Sequence, residues 1–189
     1  MDTRAMATST RTLLTVDEYS RVPPPPDGRW ELRRGELVKV TYPRGRHTKA
    51  QMQLVALLTP RTRAFGKVGQ EFPFTPREAE LRSADVAIIS HARWATYDPE
   101  SYFSGAPDIV IEVLSPSNTV DEIADKEALC LATGAREFWL VNPKLRTVRV
   151  STPDKHSITY ESGESVPLPL LPGAEPLPVA EIFADEPGH

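Results

Sequence analysis

The 189-residue chain is 40% hydrophobic and 25% charged, which suits one domain with a sizeable core and leaves little room for a second. Its formal net charge of -4 excludes a global attraction to nucleic acid or anionic membrane, so any basic surface is local. The one cysteine, Cys130, excludes an intrachain disulfide framework, and no stretch approaches the ~20 apolar residues that span a bilayer. With no export signal at the start, the expectation is a cytoplasmic protein without a membrane partner.

Residues 1–11 read as a flexible tail and 185–189 as another, with a single domain expected over 12–184. In "TVDEYSRV", Thr15 and Glu18 make a capping box for a short helix, and "PPPPDG" then stops it. "RWELRRGELVKV" predicts a β-hairpin that turns near Arg34–Gly35. "HTKAQMQLVALLTPRTRAF" predicts the first long helix, its apolar stripe running through Met52, Val55 and Ala56, widened by Leu54, Leu57 and Leu58. Pro60 is expected to bend or end it.

"GKVGQEFPFTP" and "LRSADVAIIS" read as strands, and "HARWATYDPESYFSG" as an irregular insert. "DIVIEVL" predicts a buried strand, followed by a helix over Thr119–Thr133 with a Thr119/Glu122 capping box and Gly134 as its stop. "EFWLV" and "TVRVST" form a further strand pair, with "SITYES" a weaker strand. The proline-rich tail "VPLPLLPGAEPLPVAEIF" carries enough leucine to pack on the body, its last residues making one helical turn. The fold class expected is mixed α/β, a mixed central sheet flanked by helices with an N-terminal β-hairpin extension.

Two strands carry acids among aliphatic residues. Strand periodicity puts Asp108, Val110, Glu112 and Leu114 on one face and Ile109, Ile111 and Val113 on the other. A carboxylate buried there costs several kcal/mol unless a cation or hydrogen bonds meet it, about 2–7 kcal/mol even for a neutral polar group. Asp108, after Pro107, reads as a residue at the strand mouth; Glu112, mid-strand, is the demanding case. Asp85 sits likewise in "SADVAII". Side by side, Asp85 and Glu112 would make an oxygen pair of the kind that holds Mg2+ or Mn2+; each also has a structural reading. Lys126 shares a helix face with Ile123 and Cys130, from which it can reach Glu112, snorkel to solvent, or pair with Glu122.

No acidic residue lies between Glu36 and Glu71, whereas that interval holds Lys39, Arg44, Arg46, Lys49, Arg61, Arg63, Lys67 and His47. Such a run supplies phosphate contacts without base specificity, or simply a solvated basic helix. His47 has three open roles: phosphate contact, proton transfer or support of the metal site. Glu31, in "WELRRGEL", is a further candidate carboxylate or an exposed strand residue.

Taken in order, "WELRRGELVKV", "PRGRHTKAQMQLVALL", "LRSADVAII", "GAPDIVIEVLSPSNTVDEIADKEALCLATGAREFWLVNPKLRTVRV" and the terminal "LLPG" and "EIF" resemble the Uma2 family of restriction-endonuclease-like proteins, over Thr15 to Phe183. That family is similar to the PD-(D/E)xK nuclease superfamily, so the resemblance implies a restriction-endonuclease-like core and Mg2+-dependent (or Mn2+-dependent) hydrolysis of nucleic-acid phosphodiesters. It implies Asp85 as the motif aspartate and Glu112 as the acid of the strand motif. Leu114 stands where the usual lysine would be, and that role passes to Lys126. Glu31 matches the early glutamate and His47 the "RH" histidine; Ala84 replaces the common proline before the aspartate. The implied metal ligands are Asp85, Glu112 and the Val113 carbonyl, with Arg44, Arg46, His47 and Lys49 on the nucleic-acid backbone. The implied partners are DNA and a second copy in a homodimer. A non-catalytic nucleic-acid-binding or interaction module on the same fold is the alternative.

Overall fold

A computed structural model describes residues 13–42 and 44–184; the tails expected at 1–11 and 185–189 lie outside the described residues. Helix α1 (Val16–Tyr19) has the Thr15/Glu18 capping box. Strands β1 (Arg29–Arg33) and β2 (Glu36–Val40) pair antiparallel around Arg34 and Gly35, whose φ values of 52° and 80° give the left-handed turn that matches hairpin twist. Two main-chain hydrogen bonds between Leu32 and Leu81 attach this hairpin to the body.

Helix α2 (Arg46–Thr62) runs through Pro60 and stops two residues later, so the proline stands in the last turn, just short of the helix end. A proline there removes one donor, the amide that would meet the Ala56 carbonyl, while the carbonyls on either side of Ala56 gain side-chain donors. Thr59 donates to the Val55 carbonyl at 2.6 Å, Arg61 to Leu57 at 2.8 Å and Thr62 to Leu58 at 2.8 Å. The buried face differs from the expected stripe: it is His47, Ala50, Gln51, Leu54, Leu58 and Thr62, while Met52 is 61% exposed. Three buried polar residues, His47, Gln51 and Thr62, extend the stripe, so apolar periodicity alone rotated it.

Strands β3 (Gly66–Thr75) and β4 (Arg82–Ser90) follow, and the insert expected to be irregular contains helix α3 (His91–Ala95) and strand β5 (Phe103–Ser104). Next come β6 (Ile109–Val113), α4 (Val120–Ala132), β7 (Glu137–Asn142), β8 (Thr147–Ser151) and β9 (Ser157–Tyr160). The terminal segment holds β10 (Ser165–Val166), β11 (Leu177–Pro178) and the single turn α5 (Val179–Ile182).

The sheet order is β5-β3-β4-β6-β7-β8-β9, with β3–β5 and β6–β7 parallel and the other pairs antiparallel. This is a mixed central sheet flanked by helices, consistent with a restriction-endonuclease-like architecture. One core packs Leu54 and Leu58 of α2, with Leu177, Ile182 and Phe183 of the terminal segment, against Val86, Ile88, Ile109, Ile111 and Val113. The other joins Cys130 of α4 to Phe72, Ala87, Ile89, Val110 and Phe138. The buried leucines of the proline-rich tail therefore close the α2 side of the sheet.

Both capping-box bonds of α4 are present, Thr119 to the Glu122 amide and Glu122 back to Thr119. Thr119→Ala is expected to cost about 1 kcal/mol, read from urea unfolding.

Candidate metal and phosphate site

The site forms where the β4–β6 ladder ends and the β3–β4 ladder is interrupted. β4 and β6 pair as Val86↔Ile111, Ala87↔Val110 and Ile88↔Ile109, so the next residues along this register are Asp85 and Glu112. There the amides turn from ladder bonds to the opposing side chains. Val113 N–H donates to Asp85 Oδ2 at 2.7 Å and Asp85 N–H to Glu112 Oε1 at 3.4 Å. Each acid is thus capped from the other's strand.

β3 yields at the same level. Its pairs Gln70↔Val86 and Phe72↔Ala84 flank Glu71, a non-glycine residue at φ 48°. That conformation costs of order 1–3 kcal/mol, and two clamps hold it. Gln51 Nε2 and Arg29 Nη1 each lie 2.5 Å from the Glu71 carboxylate, and Gln51 Nε2 also donates to the Asp85 carbonyl at 2.8 Å. Around Asp85 strand β4 changes sides: Ala84 packs with the α4 core and Val86 with the α2 core. The aspartate therefore meets residues from both helices.

From α2, His47 Nε2 lies 3.0 Å from Asp85 Oδ2, while its buried Nδ1 has no hydrogen-bond partner among the described residues. From α4, Lys126 Nζ lies 2.7 Å from Glu112 Oε2 and donates to the Ser83 carbonyl at 2.7 Å. Lys126 therefore pairs with Glu112; Glu122 instead meets Arg33 at 2.8 Å. Glu112 is 7% and Lys126 8% exposed. Of the five expected site residues, Asp85, Glu112, Lys126 and His47 form one cluster in space.

Glu31 is buried beside it, accepting from the Ser83 amide at 3.3 Å and lying 3.2 Å from Arg33 and 3.9 Å from Arg82. Asp108 is elsewhere: it accepts from the Ser90 amide at 2.9 Å and faces Arg93 at 3.5 Å, a structural tie at the strand mouth. Of the basic run, Lys39, Arg44 and His47 line the cleft over the acids, and Arg46 lines the adjoining groove. Lys49 is exposed and lines neither, and Arg61 and Arg63 stand at the far end of α2. Helical rise of about 1.5 Å per residue puts that end roughly 20 Å away.

The charges are set by burial and pairing. Burial, with repulsion from Asp85 and Glu31, lifts the Glu112 carboxyl to about 7 despite Lys126. Asp85 is also disfavoured by burial, but His47, Lys126 and the Val113 amide together hold its pKa below the usual value. Burial opposes the charge on His47 and Lys126, yet the surrounding carboxylates raise both. Lys126 is therefore an ammonium at neutral pH. Cys130 lies buried nearby with its thiol pushed up to about 12 by burial, which excludes it as a nucleophile.

Among the described residues no three His, Cys, Asp or Glu side chains converge as a ready metal cage. The donor set nevertheless suits a hard cation. Two carboxylates and nearby carbonyls at the floor of a cleft of about 680 Å³ match Mg2+, which keeps several waters and needs only one or two carboxylates. They do not match the nitrogen and sulfur donors of a structural zinc site.

Sequence reasoning did not single out Gln51, Glu71, Arg33 or Arg82. The signal for Gln51 was its position four residues after His47, which puts both on one helix face. Gln51→Met keeps the bulk but leaves the Asp85 carbonyl and Glu71 without that donor. The expected result is a loss of about 10- to 100-fold in Mn2+ affinity by calorimetry, with near-UV circular dichroism unchanged.

Residues 16–180 match the sequence profile of the Uma2 family, described as "Putative restriction endonuclease". A crystal structure from Anabaena variabilis ATCC 29413, described as "a putative nuclease belonging to DUF820", superposes with a TM-score of 0.77 at 22% sequence identity. The match covers 90% of this chain and 98% of that one, a likeness of fold. No curated protein matches the chain. Among the described residues no helix is long and apolar enough to cross a membrane.

Proposed function

We propose that this chain, which belongs to the Uma2 family, is a metal-dependent endonuclease that hydrolyses nucleic-acid phosphodiester bonds, with DNA the first substrate to test. The observation that carries this reading is the meeting of Asp85, Glu112 and Lys126 at one cleft floor, with Lys126 Nζ 2.7 Å from Glu112. The family's link to the PD-(D/E)xK nucleases supports the chemistry.

Asp85 and Glu112 would hold Mg2+ or Mn2+, with the Val113 carbonyl. Both main-chain groups of an extended residue point to the same side, and the Val113 N–H points to Asp85. Bound there, the cation supplies charge neutralisation at the phosphate and acidifies a water. Lys126, protonated at neutral pH, is a fixed positive charge for the phosphate oxygens as negative charge builds on them. It is not a base. His47 keeps Asp85 oriented through Nε2 and leaves Nδ1 for a phosphate oxygen or a proton. Glu31 holds the Ser83 strand segment and Arg82 in place beside Lys126. Arg44 and Arg46 line the path of the nucleic-acid backbone, with Lys49 further out on α2. Water attack on phosphorus breaks one P–O ester bond, giving an alcohol and a phosphate monoester.

A non-catalytic nucleic-acid-binding module is the second reading. It is favoured by the acids' present engagement with His47 and Lys126 and by the absence of a three-ligand cage among the described residues. The deciding experiment titrates Mn2+ into wild type and Glu112→Ala by calorimetry, then assays cleavage of mixed DNA and RNA. Metal binding and cleavage by the wild type alone support the nuclease. Equal metal binding in both sinks the site, and salt-sensitive binding without cleavage favours the module. The proposal includes a cytoplasmic homodimer, whose assembly sedimentation equilibrium checks.

A further inference from the structure

The cleft over the acids does not end at them. It adjoins a second groove of about 1140 Å³, the two sharing Arg44, His47, Ser115, Pro116, Asn118 and Ile123 as common walls. Tyr42, 62% exposed, lines the first cleft, and Val120, 85% exposed, lines the second groove with Leu114 and Pro143. Arg44, Lys144 and Arg149 supply positive charge along the same line, Arg149 while paired to Glu127. The hairpin is tied to α4 by Arg33–Glu122 and Arg34–Asp125, so the wall of the cleft is braced there.

From this arrangement we infer that the site takes single-stranded nucleic acid, threaded from Tyr42 past Asp85 and Glu112 into the groove beside Val120. The inference rests on the nuclease reading above and names its substrate class. A stacked duplex hides its base faces and offers mainly phosphates and groove edges, about 12 and 6 Å wide. Such a partner has no use for an exposed tyrosine and an apolar groove continuous with the cleft that holds the acids. A single strand exposes both surfaces that this track matches: charged backbone for the arginines and lysine, and flat apolar bases for Tyr42 and the Val120 wall. Asp85 and Glu112 are only 8% and 7% exposed, and a single strand, unlike a stiff duplex, can bend to bring a phosphate in to them.

The test is fluorescence anisotropy on the full chain in EDTA, which prevents cleavage, with labelled 15-nucleotide single-stranded DNA, RNA of the same sequence and the 15-base-pair DNA duplex. A single strand is expected to bind at least about tenfold more tightly than duplex at equal salt, and the DNA and RNA arms identify which. Tyr42→Ala and Val120→Asp are each expected to weaken single-strand binding about 5- to 10-fold. Their melting temperatures and Mn2+ affinities should match wild type, since both side chains are at the surface. Duplex binding equal to or tighter than single-strand binding overturns the inference, as does wild-type affinity in both variants. Metal-dependent cleavage of duplex alongside either result leaves the nuclease reading standing. Absence of both metal binding and cleavage in the wild type removes that reading together with the inference.

Discussion

In metal-free buffer, Glu112→Gln and Lys126→Met are each expected to lower the unfolding free energy by about 3–5 kcal/mol, the effect of stripping a buried charge of its partner. Glu112 and Lys126 are both nearly inaccessible to solvent and only 2.7 Å apart. Without Glu112, the ammonium keeps the Ser83 carbonyl and the more distant Asp85 and Glu31, so its loss should fall toward the lower end. Without Lys126, the carboxyl keeps only the Asp85 amide and is driven toward its neutral form. The double variant should lose less than the sum, with a coupling of about 0.5–3 kcal/mol. Urea unfolding of the four proteins measures this. Strict additivity would show that the pair is not coupled, and Lys126 would then lose its assigned role beside the acid.

Mn2+ is expected to bind about tenfold more tightly at pH 8 than at pH 6. Protons and metal compete for the same oxygens, and Glu112, lifted to about 7 by burial, is about nine-tenths protonated one pH unit lower. Affinity should therefore climb as pH rises through 7 and level off above it. His47 adds the same sign: its pKa is raised despite burial, and its imidazolium holds Asp85 Oδ2 at the lower pH. Asp85, its pKa held below the ordinary value of 3.8, stays ionised throughout and contributes nothing to the slope. Calorimetric titrations across this range, in buffers of different ionisation enthalpy, also count the protons released. A flat profile would mean that Glu112 is not a ligand.

Much of the fold was legible because local chemistry and global packing agree. The Thr119/Glu122 box, the Arg34–Gly35 turn and the alternation of "DIVIEVL" each specify their own element without help from distant residues. The site was legible in part, for a different reason. Glu112 and Lys126 stand out as charges where neighbours are apolar, and burial of a charge demands a partner. The demand names no partner, however: Glu122, four residues before Lys126, was an equally good candidate on spacing alone. Gln51 could be placed on the helix face of His47, but its partners, and the role of Glu71, depend on β3 meeting α2. The α2 stripe was misread for the same reason, since His47 and Gln51 look solvent-facing until the strand ends that bind them are placed.

The broken ladders have a spectroscopic consequence. The amide protons of Asp85 and Val113 point at the carboxylates that would receive the cation. They are therefore internal reporters: their nitrogen and proton chemical shifts respond to any change of charge on Glu112 or Asp85, with no probe attached. Because each reads the acid on the opposite strand, the two resonances distinguish a cation shared between the carboxylates, which moves both, from one held by a single acid, which moves one.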